Sequence, residues 1–140
     1  MKKILFILPL VLCFFVLSAS AEVYLTKDAI KVDREKMGGG VGTVNCVFAF
    51  TRDKAPAEHA VKEIGVLTIP PGASIGYHKH ETNEDAYIVA SGTGVFKDAD
   101  GKDYNVGPGD MTVIRMGQMH GITNNGQVPL VIVAIIAAQK

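Results

Sequence analysis

The sequence predicts an all-β fold, a sandwich or barrel of short antiparallel strands, on three observations. No segment after residue 21 keeps helical periodicity over three turns. Apolar residues instead recur in short runs, several of them alternating with polar ones. Between the runs stand Gly, Pro and Asn clusters at close intervals, a pattern of all-β structure rather than of a parallel α/β sheet.

The first residues read as targeting. Lys2 and Lys3 precede an uncharged apolar run over residues 4–17, and Ala19-Ser20-Ala21 has the small-residue pattern of a signal-peptide cleavage site. The run is shorter than the ~20 residues that span a bilayer. Cleavage after Ala21 is therefore expected, with a secreted or periplasmic product, and an uncleaved anchor is the alternative. The mature domain, residues 22–140, carries twelve basic and fourteen acidic residues, a net charge of −2. That excludes the basic footprint of a nucleic-acid binder, and no polybasic segment points to a membrane surface. Cys13 leaves with the signal, so Cys46 has no partner for an internal disulfide.

Residues 23–30 have weak strand character, and 27–36 form a charged, exposed stretch. The run Met37-Gly-Gly-Gly-Val-Gly42 fits neither the G-x-G-x-x-G nor the P-loop spacing, and no helix follows it. It reads as a flexible connection or a place of close backbone approach. Residues 44–50 form a strand with Val44, Cys46, Phe48 and Phe50 on one face, which makes Cys46 a small buried hydrophobe. Residues 51–62 are polar and hold Pro56 and His59, so they form a loop or short helical turn with an exposed histidine. The strand 64–69 is stopped by Pro70-Pro71-Gly72.

Strands follow over 85–91, 95–97, 102–106 and 111–114. They are separated by Gly92-Thr93-Gly94, by a D-G turn at 98–101, and by Gly107-Pro108-Gly109-Asp110, which has the residues of a type II turn. Asn124-Asn125-Gly126 reverses the chain into a last strand, 130–137. That strand is apolar at both parities, so both its faces call for cover, from a second sheet or from another subunit.

The chemistry gathers in two stretches. In the first, His78 and His80 stand two apart, so a strand points both imidazoles to one side. Glu84 and Asp85 follow closely and offer a harder oxygen ligand. Tyr87 and Val89 share the parity of Asp85. In the second, His120 lies between Gly109 and Asn124, with Met116 and Met119 beside it as apolar lining.

Together these stretches resemble the two motifs of the cupin superfamily. The first, G-x5-H-x-H-x3,4-E-x6-G, is reproduced by Gly72, His78, His80, an acidic pair and Gly92. The second, G-x5-P-x-G-x2-H-x3-N, is matched by Gly109, Gly117, His120 and Asn124. Two departures stand out. Arg115 replaces the motif proline, which brings a cation toward the pocket mouth. The acidic position is also ambiguous: counting back from Gly92 gives Asp85, whereas Glu84 satisfies only the count forward from His80.

The resemblance implies a single-domain jelly-roll barrel, or double-stranded β-helix. It implies His78, His80 and His120 as metal ligands, with Asp85, or alternatively Glu84, as the fourth. Such donors suit a divalent transition metal, Mn, Fe, Ni, Zn or Cu. Four ligands around an octahedral ion leave two positions open for a small-molecule substrate or ligand. Tyr87 is the candidate catalytic group, as a phenol beside the metal or else a buried structural tyrosine. Dioxygenase, decarboxylase, lyase and isomerase chemistry all occur in the superfamily, so the fold does not choose among them. A non-catalytic metal- or ligand-binding module is the alternative, and a metal-free sugar-binding or epimerase-type protein a poorer third. The doubly apolar last strand and the resemblance together predict a homodimer.

Overall fold

Ten strands form two antiparallel sheets in a computed structural model that describes residues 21–138. Residues 1–20 of the proposed signal segment, 1–21, lie outside the described residues. The strands are β1 (Ile30–Glu35), β2 (Thr43–Phe50), β3 (Val61–Ile69), β4 (Ser74–Lys79), β5 (Asn83–Ser91), β6 (Gly94–Lys97), β7 (Asp103–Val106), β8 (Met111–Ile114), β9 (Met119–Thr123) and β10 (Leu130–Ala138). One sheet has the order β1-β2-β3-β10-β5-β8 and the other β4-β9-β6-β7. The architecture is the jelly-roll expected from the sequence. Among the described residues no helix is long and apolar enough to cross a membrane.

Alternation in the sequence sets which side chains enter the space between the sheets. Val44, Cys46 and Phe48 of β2, Leu67 and Ile69 of β3, Tyr87 and Val89 of β5, and Leu130, Ile132 and Ala134 of β10 are buried together. The register lines these up in rows across the larger sheet. Cys46 lies opposite Leu67, Leu67 opposite Ile132, and Ile132 opposite Val89. In the next row Phe48 faces Gly65, then Ala134, Tyr87 and Thr112. Gly65 is small for a reason, since a Cβ there would stand 2.4 Å from the Phe48 ring. A third row runs Glu63, Ile136, Asp85, Ile114, so two carboxylates enter the barrel two strands apart.

The N-terminal part differs from the sequence reading. Residues 23–29 are not a strand, and the strand lies instead in the charged stretch, as β1. Pairing with β2 explains this, because Ile30 and Val32 align with Phe48 and Cys46. As the sheet's edge strand, β1 stays largely exposed, as its charges suggested. Phe50 is only half-buried, because a bulge between Phe48 and Phe50 breaks the alternation there.

The glycine run forms a 3-10 turn, Met37–Gly39, packed against β4. It is a place of close backbone approach. A Cβ on Gly40 would meet the Ser74 carbonyl oxygen at 2.2 Å, and one on Gly76 would meet the Gly38 carbonyl oxygen at 2.4 Å. The Gly107–Asp110 turn closes as expected, with the Asp110 N–H donating to the Gly107 carbonyl at 3.0 Å and Gly109 at φ 91°.

Candidate metal centre

Three histidines and one aspartate converge inside the barrel: His78, His80, Asp85 and His120, with their candidate ligand atoms all within 4.8 Å of one another. They come from both sheets. His78 on β4 lies directly opposite His120 on β9. His80 follows the end of β4 at the corner where the chain crosses to the larger sheet, and Asp85 points back from β5. The aspartate and the second and third histidines are buried, and His78 is half-buried toward a cavity.

The inward aim of the β4 histidines depends on a β-bulge. Ile75 pairs with Ile122 and His78 with His120, so β4 has one residue more than β9 in that interval. Ile75 is buried in the core. Without the extra residue, alternation from Ile75 would turn His78 and His80 to the outside.

Hydrogen bonds fix the orientations of two of the imidazoles. His78 Nδ1–H donates to the Gly76 carbonyl at 2.8 Å, and His80 Nδ1–H donates to Asn83 Oδ1 at 2.6 Å. Both acceptors can only accept, so in each neutral ring Nε2 carries a lone pair. The Nε2 atoms of His80 and His78 stand 3.1 Å apart, and those of His80 and His120 2.9 Å. Asp85 Oδ2 lies 3.5 Å from both His80 Nε2 and His120 Nε2. With all rings neutral, at most one proton, from His120, can lie among these nitrogens. The remaining lone pairs face one another.

A cation at the centre relieves that arrangement, and the donor set fits one. Two nitrogens each about 2.1 Å from a common ion and at right angles stand about 3.0 Å apart. Three imidazoles with a carboxylate suit a divalent transition ion. The cluster could hold such a metal. Two of its atoms, Asp85 Oδ1 and His120 Nδ1, are buried without a hydrogen-bond partner.

The local electrostatics favour neutral rings at His80 and His120. Burial, and then repulsion from His78 and His80, lowers the His120 pKa to about 3. Burial lowers His80 too, against the upward pull of its bond to Asn83. Burial raises Asp85 to about 7, while the Tyr87 hydroxyl and the Arg52 cation pull it down and Glu63 pushes it up. Tyr87 is raised well above its ordinary range by burial and then by the Asp85 charge. It is a neutral hydroxyl at physiological pH. Its ring stacks on His120, centroid to centroid 4.9 Å.

The sequence candidates separate cleanly in space. Asp85 faces the histidines; Glu84 is not in the cluster, and its carboxylate pairs with Arg115 at 2.6 Å. The cation at the motif's proline position is thus engaged with the rival carboxylate and does not line the cavity before the histidines, contrary to the expectation from its place in the motif. Neither Met116 nor Met119 lines that cavity, and Met116 is exposed. His59 is half-buried and stands apart from the cluster.

The cavity holds residues that sequence spacing does not single out: Arg52, Glu63 and Asn83. The register that puts Glu63 in a row with Asp85 could have revealed Glu63, whereas Arg52 lies in the turn after β2 and no pairing marks it. The motif asparagine, Asn124, is fully buried and serves the fold. Its Nδ2 donates to the carbonyls of Ile69 and Val128, and its Oδ1 accepts from Gly126 N–H.

This barrel with its inward histidine cluster defines the class. The chain belongs to the cupin family: the family model described as "Cupin domain" matches residues 65–136. The chain is also similar to an "Oxalate-binding protein" of Thermotoga maritima, 35% identical over 100 residues that cover 71% of this chain and 80% of the relative. Among solved structures it resembles a "predicted oxalate decarboxylase" from Thermotoga maritima, with TM-score 0.75, 29% identity, and coverage of 84% of this chain and 100% of that one. A protein from Klebsiella pneumoniae with a double-stranded β-helix domain shares the fold, at TM-score 0.51 and 24% identity, over 65% of this chain and 96% of that one.

Proposed function

We propose that this chain is an exported metal-dependent cupin that binds a small carboxylate ligand, of the oxalate type, at an ion held by His78, His80, Asp85 and His120. The observation that carries the proposal is the convergence of three imidazole Nε2 atoms, two of them, on His78 and His80, turned inward as lone pairs by Nδ1–H bonds. The relatives described as oxalate-binding and as a predicted oxalate decarboxylase support the ligand class. A bound ion would polarise a ligand carboxylate as a Lewis acid. The protein's own part is to hold the ligand atoms, to keep them dry, and to present the Tyr87 hydroxyl beside Asp85.

A second reading, turnover of the ligand by decarboxylation, is favoured by Tyr87, a neutral O–H donor buried at the cluster. Breaking the C–C bond of the oxalate dianion leaves its electron pair on one carbon. That carbon takes one proton, supplied by the Tyr87 hydroxyl and restored to it from solvent, giving carbon dioxide and formate. Elemental analysis of the protein purified from its own compartment, followed by calorimetry with oxalate and a formate assay, tests both readings. One metal per chain with oxalate binding supports the proposal, and formate release makes the protein an enzyme. Absence of metal after reconstitution would sink it. Export is tested in the same preparation by mass spectrometry, which should find a mature chain beginning at Glu22.

The outer face of the larger sheet supports a homodimer. Val131, Val133 and Ile135 of β10 lie there between the exposed Val66 and Val113, a broad apolar surface on a β-protein. Sedimentation at micromolar concentration should give a dimer, and Val66→Lys should shift it to monomer.

A further inference from the structure

We infer that Arg52 is the anchor for the ligand's second carboxylate, the one turned away from the metal. The inference rests on the proposed reading of the site and adds the residue that selects a dianion. The cavity before the histidines measures about 250 Å³, below the ~300–1,000 Å³ of pockets that enclose drug-sized ligands. It suits a ligand of a few atoms. Two cations line it, Lys79 and Arg52. The Lys79 ammonium is taken by Glu81 at 3.1 Å. Arg52 has one protein partner among the described residues, Glu63, at 3.9 Å from its Nε, outside hydrogen-bond range.

Glu63 is what makes Arg52 more than a surface cation. It is a buried carboxylate, 4% exposed, in the same cross-sheet row as Asp85. Arg34 approaches it from one direction, at 3.6 Å, and Arg52 from the cavity side. A buried anion attracts the guanidinium toward the barrel mouth, yet the distance leaves its hydrogen-bond donors uncommitted. A guanidinium fork pairs with a carboxylate through two parallel N–H···O bonds. One carboxylate of a short dianion would lie at the ion and the other at Arg52. A ligand with a single carboxylate would gain only the first.

Calorimetry on the full mature chain tests this, loaded with whichever of Mn, Fe, Ni, Zn or Cu binds one per chain. The probes are oxalate and oxamate, in which an amide replaces the second carboxylate. The wild type should prefer oxalate. Arg52→Gln should weaken oxalate about 10-fold or more, leave oxamate within about 2-fold, and leave metal affinity unchanged. Arg52→Lys should restore part of the loss. Unchanged oxalate affinity in Arg52→Gln overturns the anchor while the metal site stands. Equal loss of both probes, or loss of metal, also overturns it, because Arg52 would then be maintaining the site. A metal-loaded wild type that binds neither probe sinks the anchor together with the ligand class beneath it.

Discussion

β4 and β5 both deliver side chains to the same cluster, but they aim them by different means. On β5, plain alternation turns Asp85, Tyr87 and Val89 inward and leaves Glu84 on the other parity. On β4, alternation from the buried Ile75 would aim His78 and His80 outward, and one extra residue at Gly76–Tyr77 reverses them. The face of β5 is held by a row of apolar neighbours. The face of β4 is held by a backbone crossing, where the 38–40 turn rests on Gly76. One strand's aim is therefore spread over many contacts and the other's depends on one backbone crossing, where Gly40 and Gly76 both leave no room for a Cβ.

Breaking the crossing should have the largest effect. In Gly76→Val the new Cβ would meet backbone atoms of Gly38, Gly39 and Gly40 at 2.4–2.6 Å, none of which is a flexible side-chain end. We expect a loss of about 3 kcal/mol, the upper end of overpacking costs, together with loss of metal binding. Chemical denaturation and metal titration check it. Near-normal metal affinity in this variant would show that the bulge does not set the histidine aim.

The acidic pair sharpens the comparison on the β5 side. Asp85→Asn should weaken metal binding by about 100-fold or more, since even partners that only orient ligands are worth ~10–100-fold. Glu84→Gln should leave it unchanged. Equal losses would mean that Glu84 reaches the ion and that alternation on β5 does not decide the ligand.

The pH dependence follows from the same residues. Without metal, the Asp85 pKa is raised to about 7 from an ordinary 3.8, so its contribution to stability is full below pH 3.8 and lost as pH rises through about 7. The His120 pKa is lowered to about 3 from 6.5, so its contribution is present above pH 6.5 and lost as pH falls toward 3. Metal binding needs neutral imidazoles and an ionised carboxylate. The rise in Tm on adding metal should therefore grow from pH 5 to pH 8. At pH 8 the metal-free Asp85→Asn protein should melt a few degrees above the metal-free wild type. A metal-induced rise independent of pH would contradict the assignment of Asp85 as a buried ligand.

These contrasts mark what the sequence could carry. The inward set on β5 was legible, because burial of one face at period two writes itself into alternation. The two histidine motifs were legible because ligand spacing is local. The bulge was not, since H-x-H reads alike on either face of a strand and only pairing with β9 reveals the extra residue. β1 was missed because an exposed edge strand has little apolar pattern to show. Arg52 and Glu63 were silent for a related reason. They lie outside both motifs, and only the folded register puts Glu63 beside the Asp85 row.

Arg115 gives the smallest expected effect and the closest test of parity. Its guanidinium pairs with Glu84 at 2.6 Å, with the Arg115 side chain 64% exposed. Exposed pairs of this kind contribute ~0.2–1 kcal/mol, so Arg115→Ala should shift Tm only slightly and leave metal affinity unchanged. The informative variant is the double one, Asp85→Asn with Arg115→Ala. Removing Arg115 takes away an ion-pair partner of Glu84, one residue from the lost ligand. If side-chain reach were the limit, Glu84 would then turn toward the histidines and restore metal binding. We expect no recovery, because successive residues on a strand leave opposite faces of the sheet, and the β10 and β8 pairings on either side of β5 hold that orientation.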